Sequence, residues 1–180
     1  MEADEFRELE EQQEKALEHN LKPVSFTMAL LAVFVAVVTV MGHRTHTEAM
    51  LLQARATDQW NLYQAKKIRQ NDTELATDLL SALAVRDPAL GKKLADGYSA
   101  HQAKWTDDLK DEQAEAQKLE AEVALSERRA DRFDLGEALL EIGLVVSSIT
   151  LLTRLRTYWY LGIAFGLAGL SVAGLAFLIQ

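Results

Sequence analysis

The sequence predicts an all-α membrane protein: three transmembrane helices, with a long, coiled-coil-like extramembrane helical hairpin between the first and second. Two observations carry this. Three apolar runs, Val24–Met41, Leu135–Leu152 and Tyr158–Ile179, reach or approach bilayer length, because a hydrocarbon core about 30 Å thick takes ~20 helical residues. Between the first two runs, residues 43–134 carry seventeen acids and fourteen bases, and their apolar residues recur at helical spacing.

Residues 1–22 form an acidic arm with eight acids and three bases. Phe6, Leu9, Gln13 and Leu17 lie three or four apart, so the arm reads as a weakly amphipathic helix or a partly disordered tail. Lys22-Pro23 marks entry into the membrane, since proline is tolerated in a helix's first turn. Transmembrane helix 1 occupies residues 23–42. No small-residue cleavage site follows it, so it reads as a retained anchor and not a cleaved signal peptide. Gly42 and the polar run His43–Glu48 mark its exit.

Residues 43–134 form the hairpin. On its first arm Ala49, Leu52, Ala56, Trp60 and Tyr63 recur every three or four residues, and Ile68, Leu75, Leu79 and Leu83 extend an apolar side to about Val85. Arg86-Asp87-Pro88 ends the arm, because the residue before proline avoids the helical region. With Gly91 and Gly97 as further weak points, the tip is expected near residues 86–98. A return helix follows from about Ser99 to Asp134. Leu109, Ala116, Val123 and Ala130 are spaced by seven, as are Glu112, Leu119, Ser126 and Phe133. Together they make a heptad seam in which alanine permits close approach, while Glu112 and Ser126 weaken it. Two arms alone bury a narrow seam, so further copies are expected to cover more.

Transmembrane helix 2 spans residues 135–153. Residues 154–180 supply a short basic turn and transmembrane helix 3, with Tyr158, Trp159 and Tyr160 at the headgroup layer. Gly162, Gly166, Gly169 and Ala173 form a small-residue packing stripe. Its partner, another span or another subunit, is left open by the sequence.

The net charge of −8 without a basic stripe argues against a nucleic-acid binder. The acidic arm argues against a polybasic lipid-binding tail, and the absence of cysteine removes disulfide and thiol chemistry. Lys15, Lys22, Arg154 and Arg156 flank one membrane side; Arg44, Arg55, Arg128, Arg129 and Arg132 flank the other. The short basic turn outweighs a long domain, which orients the N-terminus to the cytoplasm and the hairpin outside.

The residues closest to chemistry gather where two helices cross one membrane face. His43, Arg44, His46 and Glu48 leave the first span; Arg132, Asp134, Glu137 and Glu141 enter the second. They are expected to form an interfacial ionic network that fixes register. Glu141 lies about two turns inside the span, where an exposed carboxylate is costly, so a proton or ion path through it and the histidines is the alternative. His43 and His46 share a face, but a bare His-x-x-His without downstream ligands does not define a metal centre. The hydroxyls of span two have no base beside them, and no phosphate loop occurs. No catalytic, cofactor or metal residue is therefore assigned. Trp60, Tyr63 and Trp105 are expected to make hairpin contacts, whereas His19 and His101 look isolated.

Three segments resemble a known family: Gly42-His43-Arg44-Thr45-His46-Thr47-Glu48-Ala49, Thr57-Asp58-Gln59-Trp60-Asn61-Leu62-Tyr63-Gln64-Ala65-Lys66-Lys67-Ile68-Arg69, and Arg132-Phe133-Asp134-Leu135-Gly136-Glu137. They are similar to the bacterial membrane-protein family catalogued as domain of unknown function 4337, over nearly the whole chain beyond the arm. The resemblance implies a multi-pass protein of the bacterial inner membrane, with one early span and a C-terminal pair. It implies no activity.

The expected function is a non-enzymatic scaffold in the lipid bilayer, a homo-oligomer held together by the hairpin and the glycine face. The alternatives are a proton- or ion-conducting protein using Glu141, or an adaptor subunit of a larger membrane complex.

Overall fold

The computed structural model describes residues 2–83 and 87–179, with side chains from residue 21 onward except residue 103. Three α-helices account for nearly all of it: α1, Glu2–Ala82; α2, Pro88–Thr153; and α3, Arg156–Leu175, which tightens into a 3-10 turn at Ala176–Leu178. Each contains a stretch long and apolar enough to cross a membrane. No strand occurs among the described residues.

Two boundaries differ from the sequence reading. Pro23 lies inside α1 and does not open it. Proline removes one helical hydrogen bond, but the backbone remains helical on both sides, and the Thr27 hydroxyl donates to the Pro23 carbonyl at 2.8 Å. The second correction concerns the tip expected near 86–98. Val85 and Arg86 lie outside the described residues, but α2 already begins at Pro88, well before Ser99. Asp87 accounts for this: its Oδ1 accepts the Ala89 and Leu90 backbone N–H groups at 3.0 and 3.2 Å. Asp87 is a side-chain N-cap with proline at the first helical position, a strong helix start. Gly91 and Gly97 then sit within the helix without ending it.

The chain divides into two compact units, Met1–Thr47 with Leu125–Gln180, and Glu48–Ala124. The first contains parts of α1 and α2 and all of α3. Its apolar core is Leu31, Val38, Phe133, Leu140, Ala173 and Ala176, with Phe34, Val35, Leu144 and Leu170 packed around it. Here α2 and α3 touch backbone to backbone. A Cβ added to Gly143 would lie 2.8 Å from the Gly162 carbonyl oxygen, and one added to Gly169 would lie 2.7 Å from that of Gly136. Gly166 receives Leu31 of α1 as well, its added Cβ falling 2.5 Å from Leu31 Cδ2. The small-residue stripe expected to help join copies is therefore filled inside the chain. Close approach through small residues is how helices gain packing energy where lipid already solvates apolar surface. The turn from α2 to α3 places Arg154 at φ 59°, and its N–H bonds to the Thr150 carbonyl at 2.8 Å.

The second unit pairs a segment of α1 with a segment of α2. Gln70 Nε2 donates to Thr106 Oγ1 at 3.1 Å, and Trp60 Nε1 donates to Glu120 Oε1 at 2.8 Å. As residue numbers rise on one helix they fall on the other, so the segments run antiparallel. Ala56, Leu109, Ala116 and Val123 are buried between them.

Candidate functional site

Within the first unit, the polar groups at the end of the first apolar run meet those at the start of the second. His46 Nε2 lies 3.0 and 3.2 Å from the two Asp134 carboxylate oxygens. Gly42 makes room opposite Phe133 and Asp134, both within about 3.5 Å of an added Cβ. One turn deeper, Thr39 Oγ1 donates to Glu137 Oε1 at 2.6 Å and also lies 2.9 Å from the Val35 carbonyl oxygen. The Ser126 hydroxyl donates to the Thr45 carbonyl at 3.3 Å, which satisfies one of the two polar groups in the heptad seam.

The expected eight-residue network is thus brought together only in part. His46, Asp134 and Glu137 are engaged. His43, Arg44, Glu48, Arg132 and Glu141 are exposed, and none of them makes an ion pair among the described residues. The partner Glu137 does have, Thr39, was not singled out by its sequence. Threonine in an apolar run reads as neutral until a carboxylate on another helix reaches its depth. Among the described residues, no group of three His, Asp or Glu side chains is placed to hold a metal ion.

The sharpest polar centre lies in the second unit. Glu112 of α2 takes Lys66 Nζ on one carboxylate oxygen and Gln59 Nε2 on the other. Lys66 and Glu112 are 26% and 19% exposed, so the pair is sheltered from water more than an ordinary surface bridge. The Lys66 hydrogen bond holds the Glu112 carboxyl below its ordinary value; burial opposes this and Gln59 assists. The same bond raises Lys66 above its usual value against burial. Glu112, read as a weakness in the seam, is thus its best-satisfied polar residue. The sequence did offer a signal: Gln59 and Lys66 are spaced by seven, on one face of the arm that antiparallel pairing brings to Glu112.

Trp60 and Tyr63 form an edge-to-face pair with centroids 5.5 Å apart. Trp105 is half-buried and stacks obliquely on His101, 5.6 Å away. His101 is not isolated, since its Nδ1 also bonds the Gly97 carbonyl at 2.7 Å. His19 lies outside the described side chains. On α3, Gly162, Gly166, Gly169 and Ala173 are all buried. Their α2 counterparts are Gly136, Gly143 and Ser147. The first two are spaced by seven, a pattern visible in the sequence but not connected there to the α3 stripe.

This arrangement can hold helices in register, seat a charge pair between them and expose a carboxylate on an apolar segment. In comparison with known proteins, the family model described as Domain of unknown function (DUF4337) matches residues 20–179. No curated protein and no solved structure matches the chain.

Proposed function

The chain belongs to the DUF4337 family, and from that membership and its three helices long and apolar enough to cross a membrane we propose a non-enzymatic, multi-pass scaffold of the bacterial inner membrane. The segment 43–134 serves as a coiled-coil-like hairpin outside the membrane, with the N-terminus in the cytoplasm, and joins copies of the chain to one another.

One observation carries this reading. On α1, Ile68, Leu75 and Leu79 are 60, 59 and 50% exposed, while Lys66, Gln70, Thr73 and Thr77 of the same stretch are half-buried. The helix turns these three aliphatic side chains away from its own chain, while Leu80 of the same stretch is half-buried. In so charged a segment, such a stripe supports the reading that a further subunit covers it. The glycine stripe of α3 has no part in it, being occupied internally.

The test is the mass of the detergent-solubilised protein by light scattering with detergent correction. A discrete multi-subunit mass that falls in Ile68→Gln/Leu75→Gln/Leu79→Gln, with helicity unchanged by circular dichroism, supports the scaffold. A monomeric wild type overturns it.

A second reading rests on Glu141. It is exposed about two turns into an apolar segment and has no ion pair among the described residues, the setting in which an ionisable membrane residue signals ion or proton passage. Glu141→Gln should then abolish flux in proteoliposomes while leaving the mass unchanged. Absence of flux in the wild type ends that reading.

A further inference from the structure

Near the start of the second apolar run, α2 and the chain's last described turn border an open recess of about 410 Å³. It is lined by Arg128, Asp131, Arg132, Leu135 and Ile179. The four α2 residues stand at i, i+3, i+4 and i+7, and so share one helix face. Arg128 and Arg132 are exposed, and neither makes an ion pair among the described residues. Arg129, between them in sequence, is differently occupied: its Nε and Nη2 donate to the Ile179 carbonyl at 2.9 and 2.8 Å, which fixes the wall of the recess.

The surroundings point to one kind of ligand. Leu135, Phe177 and Leu178 are 49, 68 and 74% exposed, so the two guanidinium groups stand beside open apolar surface. Along the α2 axis, Arg132 and Arg128 precede Leu135 by about 5 and 10 Å. That is the depth of the polar headgroup layer if the apolar run lies in hydrocarbon. The lining side chains, two arginines and one aspartate, carry a net charge of +1, and Arg129 in the wall adds a further positive charge, so the recess favours an anion such as a phosphodiester. Guanidinium groups recognise phosphate through paired hydrogen bonds.

We propose that this recess binds the head group of an anionic phospholipid. Arg128 and Arg132 hold the phosphodiester, Asp131 accepts a headgroup hydroxyl, and an acyl chain lies along Leu135 and the Phe177–Leu178 surface. The proposal rests on the membrane reading given above.

The test titrates the purified full chain in mild detergent with phosphatidylglycerol and, separately, phosphatidylcholine. Bound lipid is counted by native mass spectrometry. Wild type should retain phosphatidylglycerol well above phosphatidylcholine. Arg128→Gln/Arg132→Gln should weaken phosphatidylglycerol by about thirtyfold, from roughly one headgroup-level contribution per arginine, and should leave phosphatidylcholine unchanged. Arg154→Gln, an arginine outside the recess, should behave as wild type. Equal retention of both lipids by wild type, or undiminished retention by the double variant, overturns the site. Displacement of the lipid by millimolar inorganic phosphate overturns the lipid as its source and leaves a soluble phosphate in its place. Flotation with vesicles after an alkaline carbonate wash reads the membrane assignment separately. A wild type that floats but shows no lipid preference overturns only the headgroup site, and one that stays in the aqueous phase overturns both.

Discussion

Lys66 of α1 and Glu112 of α2 share a hydrogen-bonded ion pair at a seam position, with Gln59 on the second carboxylate oxygen. A carboxylate spaced by sevens among buried apolar residues is costly without partners. Here both of its oxygens are served.

The pair sets a pH window for the charged unit. The Glu112 carboxyl is held below its ordinary value of 4.5. Its contribution is therefore fully present above that value and is lost as pH falls through the depressed one. Lys66 is raised above 10.5; its contribution is fully present below that value and is lost as pH rises through the elevated one. Thermal melts followed at 222 nm should show a constant stability difference between wild type and Glu112→Gln across neutral pH, closing in acid. A difference that persists unchanged at pH 3 would contradict the pairing.

Glycine substitutions should split by location. A methyl on Gly162 would meet Ser147 Oγ at 2.0 Å and the Gly143 carbonyl at 2.7 Å, so Gly162→Ala should destabilise by about 1–3 kcal/mol through overpacking. Gly97 has nothing within 4 Å of an added Cβ and lies inside a helix. Gly97→Ala should stabilise by about 0.5–1 kcal/mol. Unfolding midpoints in one detergent decide both.

Thr39 is the hydrogen-bond donor to Glu137 in a mostly apolar setting. Thr39→Val should cost about 1–3 kcal/mol by leaving the carboxylate unsatisfied. Thr39→Val/Glu137→Leu should recover most of that loss, because both polar partners are then gone. A double-mutant cycle by reversible unfolding in mixed micelles measures the coupling.

Arg154 adopts a left-handed conformation at φ 59°, which costs a side chain with a Cβ about 1–2 kcal/mol. Arg154→Gly relieves that cost but loosens the unfolded chain, for a net gain of at most about 1 kcal/mol. Arg154→Val, β-branched, should be distinctly worse than wild type. The order Gly, Arg, Val in melting temperature is the expected result.

Much of the architecture was legible because its signals are local. The apolar runs have lengths that can be counted. The seam residues Leu109, Ala116, Val123 and Ala130 announce themselves by sevenfold spacing and are all buried. The helix start at Pro88 is hidden in the sequence because proline and glycine also act as breakers; Asp87 caps the helix, and a capped proline opens one. Partners were harder to see. Glu112 finds Lys66 and Gln59, and Gly162 finds Gly143 and Ser147, only once antiparallel register is known, and no single residue type encodes register. Arg128 and Arg132 were visible as charges near a span. The recess they line depends on the Ile179 carbonyl being held by Arg129, a contact between positions fifty residues apart.

The internal use of the α3 glycine stripe also bears on genetics. A substitution at Gly162 or Gly169 is felt first by the chain that carries it, because the surface it disturbs is that chain's own. In the proposed assembly, defective copies should be cleared before they meet sound ones, and such alleles should behave as recessive. Ile68, Leu75 and Leu79 are exposed on their own chain, so in the proposed assembly changes there alter what the chain offers its neighbours and leave its own fold intact. Alleles at those positions should be the ones that interfere when expressed beside the wild type.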